Sequence, residues 1–295
     1  MKLNCIDFLD ISHHFSEDEI MVQHNTRKFV DNEIMPNIEE DFKKGVFDFS
    51  LIPKFGELGL LGMNLPEEYG CAGMSNIAYG ILCQELERCD SGIRSFVSVQ
   101  GSLVMYPIFA YGSEKQKKKW LPPLAKGELI GCFGLTEANH GSNPGGMLTR
   151  ATKVEGGYKI NGTKMWITNG TIADIAIVWA KCDDEKVRGF IIEKGMDGFS
   201  APEMKNKWSL RASVTSELVF EDVFVPEENL LPNVEGLKGP LGCLNQARYG
   251  IGWGAIGSAM AVYEASVIYS KERIQFDKPI GSFQLIQDKL AWMLT

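Results

Sequence analysis

At 295 residues, with 44% hydrophobic and 23% charged side chains, the chain has an ordinary soluble globular composition and the length for two or three domains. A net charge of −8 argues against a general nucleic-acid binder, which needs a basic footprint, but leaves room for a local basic patch that holds a polyanion. Seven cysteines (Cys5, Cys71, Cys83, Cys89, Cys132, Cys182, Cys243) without a Cys-x-x-Cys pair, beside only four histidines, speak against a metal site and for reduced thiols.

The opening MKLNCIDFLDISHHF lacks a secretory hydrophobic core and the Arg-rich, acid-poor character of a transit peptide. With no apolar run judged long enough to cross a bilayer, the expectation is a cytosolic protein or a processed matrix protein. Residues 1–128 read as a helical domain. Ser16-Glu17-Asp18-Glu19 is a capping-box signature, and apolar residues recur at helical spacing through Ile77–Leu86 and Phe96–Tyr111. Glu114–Leu124 predicts a short basic helix. Residues 129–235 change period. Tyr158–Ile160, Ile175–Trp179, Gly189–Glu193 and Glu217–Phe220 read as strands separated by Gly and Asn-Gly turn signals. Residues 236–295 return to helix, with a long pattern over Leu241–Lys271, a break at Gln275–Gly281 and a last apolar stripe from Phe283. That stripe carries no C-cap glycine or proline stop, so the expectation is a chain that continues past Thr295.

The segment 131–170, GCFGLTEANHGSNPGGMLTRATKVEGGYKINGTKMWITNG, is the most informative. Its glycines allow a backbone to approach a planar ligand closely, its hydroxyls and amides supply hydrogen bonds, and its tryptophan offers a flat face. Taken singly, Leu135, Thr136 and Thr168 read equally well as strand residues and Trp166 as core. Together with the order helical domain, β domain, helices, the segment resembles the acyl-CoA dehydrogenase family, and within it the glutaryl-CoA branch most.

The resemblance implies an α+β fold with an N-terminal all-α domain, a middle β-barrel domain and the start of a C-terminal helical bundle. It implies FAD as cofactor, with Phe133, Leu135 and Thr136 along the isoalloxazine ring, Trp166 and Thr168 covering its other side, and Ser142 near substrate and flavin phosphates. Ala138 and Asn143 stand where the family often has Pro and Asp, which puts any charge-dependent role of Asn143 in doubt. Asn245 and Arg248 resemble the coenzyme A contact; read alone, Arg248 is as well a solvated helix arginine. Arg273, Phe276 and Gln284 resemble the segment that reaches FAD across a subunit contact, which implies a homo-oligomer, a tetramer by family habit. Asp277 replaces the glycine usual after that Phe.

Substrate choice is expected from Glu87 to Ser98. Ser91 is expected to cap a helix whose first turn holds Arg94, where a cation opposes the helix dipole and needs a partner. The resemblance gives Arg94 the distal carboxylate of the substrate, with Glu87, Ser95 and Ser98 around it; a plain surface arginine is the alternative. The implied reaction is dehydrogenation of glutaryl-CoA to glutaconyl-CoA, with decarboxylation to crotonyl-CoA in the full enzyme and electrons leaving to an electron-transfer flavoprotein. No catalytic base is assigned. The family places it beyond Thr295, or in a minority branch just before the arginine matched by Arg248, where this chain has Ala247. Dehydrogenation of another short or branched acyl-CoA, or flavin and acyl-CoA binding without catalysis, are the alternatives.

Overall fold

The computed structural model describes Asp7 and residues 9–295; Cys5 lies outside the described residues. Helix α1 (Glu17–Phe29) starts on the expected capping box, in which the Ser16 hydroxyl accepts from the Glu19 N–H at 3.3 Å and Glu19 Oε2 accepts from the Ser16 N–H at 2.9 Å. The other Glu19 oxygen accepts from the Ser75 hydroxyl at 2.5 Å, and Ser75 in turn caps α4. Two helix starts are thereby tied together. Helices α2 (Met35–Lys44), α3 (Leu51–Glu57), α4 (Asn76–Glu87), α5 (Ser91–Ser98), α6 (Tyr106–Tyr111) and α7 (Glu114–Ala125) complete this part. Between α5 and α6 the chain widens into a π-helical stretch, Val99–Met105, just ahead of Pro107. A proline has no N–H to donate back along the helix, so an altered turn there is the expected accommodation.

The next part is a seven-stranded sheet: β1 (Gly131–Gly134), β2 (Arg150–Val154), β3 (Gly157–Thr168), β4 (Ile175–Cys182), β5 (Val187–Glu193), β6 (Phe199–Ser200) and β7 (Thr215–Pro226). Its order is β1-β4-β2-β3-β7-β6, with β5 along the other edge of β4. Strands β1 and β4 run parallel in the register Gly131↔Ile175, while β3 and β7 form a long antiparallel pair. Period-two alternation splits β4 between two cores. Ile175, Ile177 and Trp179 pack with the N-terminal helices, whereas Ala176, Val178, Ala180 and Cys182 pack inside the curled sheet. That two-sided burial is why the sequence there is an unbroken apolar run.

Helix α8 (Lys238–Glu272) follows, then the hairpin β8 (Ile274–Gln275) and β9 (Lys278–Pro279), and finally α9 (Gln284–Leu294). Helix α8 lies against α4 through glycines. A Cβ at Gly250 would press on Tyr79, one at Gly254 on Glu87, and one at Gly257 on the Gln84 carbonyl. By length and composition α8 is apolar enough to cross a bilayer, which corrects the expectation that no run is; 11% of its most apolar stretch is buried in this chain. Its glycines and Arg248 interrupt the run in the sequence and hide its length there.

Candidate active site

A cavity of about 340 Å³ opens where the three parts of the chain meet. The π-helical stretch contributes Val99 and Leu103; β1 and its exit contribute Phe133, Leu135 and Thr136. The loop that follows adds Gly141, Ser142 and Pro144, β3 adds Trp166, Ile167 and Thr168, and α8 adds Leu241, Leu244 and Arg248. Three consecutive residues of one strand cannot face the same side of a regular β ladder. Ile167 packs into the core of the curled sheet, while the β3–β7 register shifts between Lys164 and Ile167 and Trp166, on a left-handed backbone with φ 63°, is exposed at the cavity. A bulge of this kind re-aims side chains and is held only where surrounding structure enforces it. Trp166 is 60% exposed, an open indole face and not the core residue it could have been.

The donor set fits a planar heteroaromatic ligand with polar edges. Phe133, Leu135 and Trp166 supply apolar faces, and the hydroxyls of Thr136, Ser142 and Thr168 supply hydrogen bonds. Six of the residues expected to hold a cofactor, together with Arg248, therefore line one cavity. Arg273, Phe276 and Gln284 do not. They lie beyond the far end of α8, Arg273 being 25 residues and so about 37 Å along the helix from Arg248. Phe276 is 85% exposed, and it and Asp277 both adopt positive φ at the tip of the β8–β9 hairpin.

The residues expected to read the substrate form a second cluster. Glu87 Oε2 accepts from Arg94 Nε at 2.6 Å, and Glu87 Oε1 accepts from the Ser91 hydroxyl at 2.8 Å. Ser98 is buried and accepts from the Tyr79 hydroxyl at 3.1 Å, while Ser95 is partly exposed on the same helix. Asn245 and Arg248 pair on α8 at 2.8 Å. One expectation needs correction: α5 is capped by Asp90, whose carboxylate accepts from the Gly92 N–H at 2.7 Å, and not by Ser91. Asp90 has the extended backbone and the acceptor that the cap requires, and Ser91 is the first helical residue.

Three stretches of the chain match acyl-CoA dehydrogenase domains: 16–128 the N-terminal domain, 132–223 the middle domain and 235–295 the C-terminal domain. An acyl-CoA dehydrogenase of Bacillus subtilis is 39% identical over 287 residues, which span 96% of this chain and 76% of that protein. The chain belongs to the acyl-CoA dehydrogenase family. A short-chain-specific acyl-CoA dehydrogenase of Megasphaera elsdenii is 38% identical over 97% of this chain and 74% of its own length. Among solved structures, a glutaryl-CoA dehydrogenase from Mycobacterium smegmatis in complex with FADH2 superposes with a TM-score of 0.96 at 50% identity, covering 98% of this chain and 74% of that one.

Among the described residues no carboxylate lines the cavity, and Ala247 on α8 is buried and has no proton to exchange. Glu137, one residue past Thr136, is not a substitute. Burial alone would raise its pKa, but bonds from the Leu148 N–H, the Lys164 ammonium and Thr149 outweigh that and hold it at about 2. Such a carboxylate stays ionised and fully occupied. Sequence reasoning did not find Val99, Leu103, Ile167, Leu241 and Leu244, since apolar residues that line a cavity carry the same signal as core residues. It passed over Lys164 altogether.

Proposed function

We propose that this acyl-CoA dehydrogenase takes FAD in the cavity between Leu135–Thr136 and Trp166–Thr168, and acts on a short acyl-CoA whose far end carries a carboxylate, glutaryl-CoA. When bound, FAD supplies the acceptor for the hydride that leaves the β-carbon. The chain's own residues hold the ring: Phe133, Leu135 and Trp166 by apolar contact, Thr136, Ser142 and Thr168 by hydroxyl groups. Arg248, braced by Asn245, offers a cation at the cavity edge for the coenzyme A moiety.

The observation that carries the substrate assignment is how Arg94 is held. Glu87 engages it through Nε alone, and among the described residues neither Nη nitrogen has a hydrogen-bond partner. The paired Nη edge of a guanidinium matches a second carboxylate in a bidentate geometry. A second reading, another short or branched acyl-CoA, has support in the short-chain-specific relative at 38% identity. The distance of Arg273 and Gln284 from the cavity supports a homo-oligomer in which one chain completes its neighbour's site. An electron-transfer flavoprotein is the proposed electron acceptor.

The test is to load the purified protein with FAD and titrate its visible flavin band anaerobically with glutaryl-CoA, butyryl-CoA and isovaleryl-CoA. Retained flavin that responds to the lowest concentrations of glutaryl-CoA is expected. Loss of flavin on gel filtration overturns the cofactor assignment, and a tighter response to either monocarboxylate thioester overturns the substrate assignment.

A further inference from the structure

The loop that carries Thr136, Gly141, Ser142 and Pro144 leaves β1 and returns to β2, and a buried ion pair grips it at both ends. Lys164 is 0% exposed although it sits in the middle of β3. Its ammonium donates to Glu137 Oε1 at 2.8 Å and to the Leu135 carbonyl at 3.1 Å, and lies 3.9 Å from Met147 Sδ. Glu137, at the start of the loop, reaches across to its end. Its Oε1 accepts from the Thr149 N–H at 3.0 Å and the Thr149 hydroxyl at 2.7 Å, and its Oε2 accepts from the Leu148 N–H at 2.6 Å. One strand residue further on, the Met165 N–H donates to the Thr136 carbonyl at 2.9 Å. The pair does not line the cavity; it holds the backbone of residues that do.

Taking two charges out of water costs several kcal/mol each, and an apolar pair of similar volume commonly serves stability as well or better. A fully bonded buried pair is therefore better explained by the geometry it enforces than by net stability. We infer that Glu137 and Lys164 are positioning residues for the flavin site, clasping residues 137–149 into the one loop conformation in which Leu135, Thr136 and Ser142 face the ring. This rests on the flavin reading of the cavity.

The experiment compares wild type with Lys164→Met, Glu137→Gln and the double variant Glu137→Met/Lys164→Met. FAD dissociation constants come from the fluorescence of released FAD, and thermal midpoints of the flavin-free proteins are recorded alongside. The single variants are expected to bind FAD at least tenfold more weakly. The double variant, with no unpaired charge left, is expected to regain most of its thermal stability yet keep the tenfold loss of FAD affinity. Recovery of FAD affinity together with stability overturns the positioning role. If Lys164→Met does not fold, the double variant and Glu137→Gln decide the matter by the same criterion. Failure of the wild type itself to bind FAD overturns the flavin reading and this role with it, and is recognised because no variant comparison is then needed.

Discussion

Arg94 Nε and Glu87 Oε2 stand 2.6 Å apart, with side chains 11% and 10% exposed, at the junction of α5 and α4 and under Gly254 of α8. The helix-dipole argument, that a cation near the start of a helix needs an anion, is met first within the chain itself. Glu87 neutralises Arg94 and orients it, so that the far carboxylate of the proposed substrate would meet a pre-aimed guanidinium and pay little to order it.

Arg94→Gln follows from this. Charge-assisted bonds to a carboxylate are worth roughly 1.5–3 kcal/mol each, so glutaryl-CoA should bind about 10- to 100-fold more weakly to the variant. Butyryl-CoA, with no far carboxylate, should change less than about threefold. Equal losses for the two thioesters, in the same flavin-band titration, would remove Arg94 from substrate recognition.

Glycines of α8 differ in what surrounds them, and this gives a paired prediction. A Cβ at Gly254 would overlap the Glu87 carboxylate and approach Arg94 Nε at 3.4 Å, whereas one at Gly252 meets nothing within 4 Å. Gly254→Ala should cost about 1–3 kcal/mol by overpacking, and should weaken glutaryl-CoA binding because Glu87 must move. Gly252→Ala should instead stabilise by roughly 0.5–1 kcal/mol, the helix-propensity difference. Urea unfolding of the two variants checks both signs.

Acid should act on Glu137. Its pKa lies at about 2 against an ordinary 4.5, so the folded state holds its proton less well than the unfolded chain does. The resulting stability, on the order of 3 kcal/mol, is present above about pH 4.5 and is lost as pH falls toward 2. Glu137→Gln should be clearly less stable than wild type at pH 7, and the gap should narrow in melts at pH 3. A gap that stays constant or widens on acidification would mean the carboxylate is not held ionised by Lys164 and Thr149.

Much of the architecture was legible because it follows from local rules. The Ser16–Glu19 box marked the start of α1, the 3.6-residue period marked α4 and α8, and Gly156 marked the β2–β3 turn, whereas Asn161-Gly162, expected as a turn, lies inside β3 where its register against β7 shifts. The Gly-, Thr- and Trp-containing segment 131–170 supplies most of the residues that line the cavity. Short strands such as β1 and β2 were not found, since four or five residues carry too little periodicity when one strand is wholly buried and the other mostly exposed.

What local rules determine is which segments fold as helix, strand or turn, and which residue types are gathered in which segment. The tertiary structure alone decided where side chains point once a rule is broken. A lysine at position 164 belongs outside by its chemistry, yet the Glu137 carboxylate and the Leu135 carbonyl hold it at zero exposure, while Trp166, within the β-bulge that follows, is exposed. Asp90 rather than Ser91 became the cap because only Asp90 has the extended backbone the cap needs. The cavity joins residues 99, 135, 168 and 248, and α8 lays Gly254 over the Arg94–Glu87 pair. Those juxtapositions depend on packing between distant segments, which no single stretch of sequence contains.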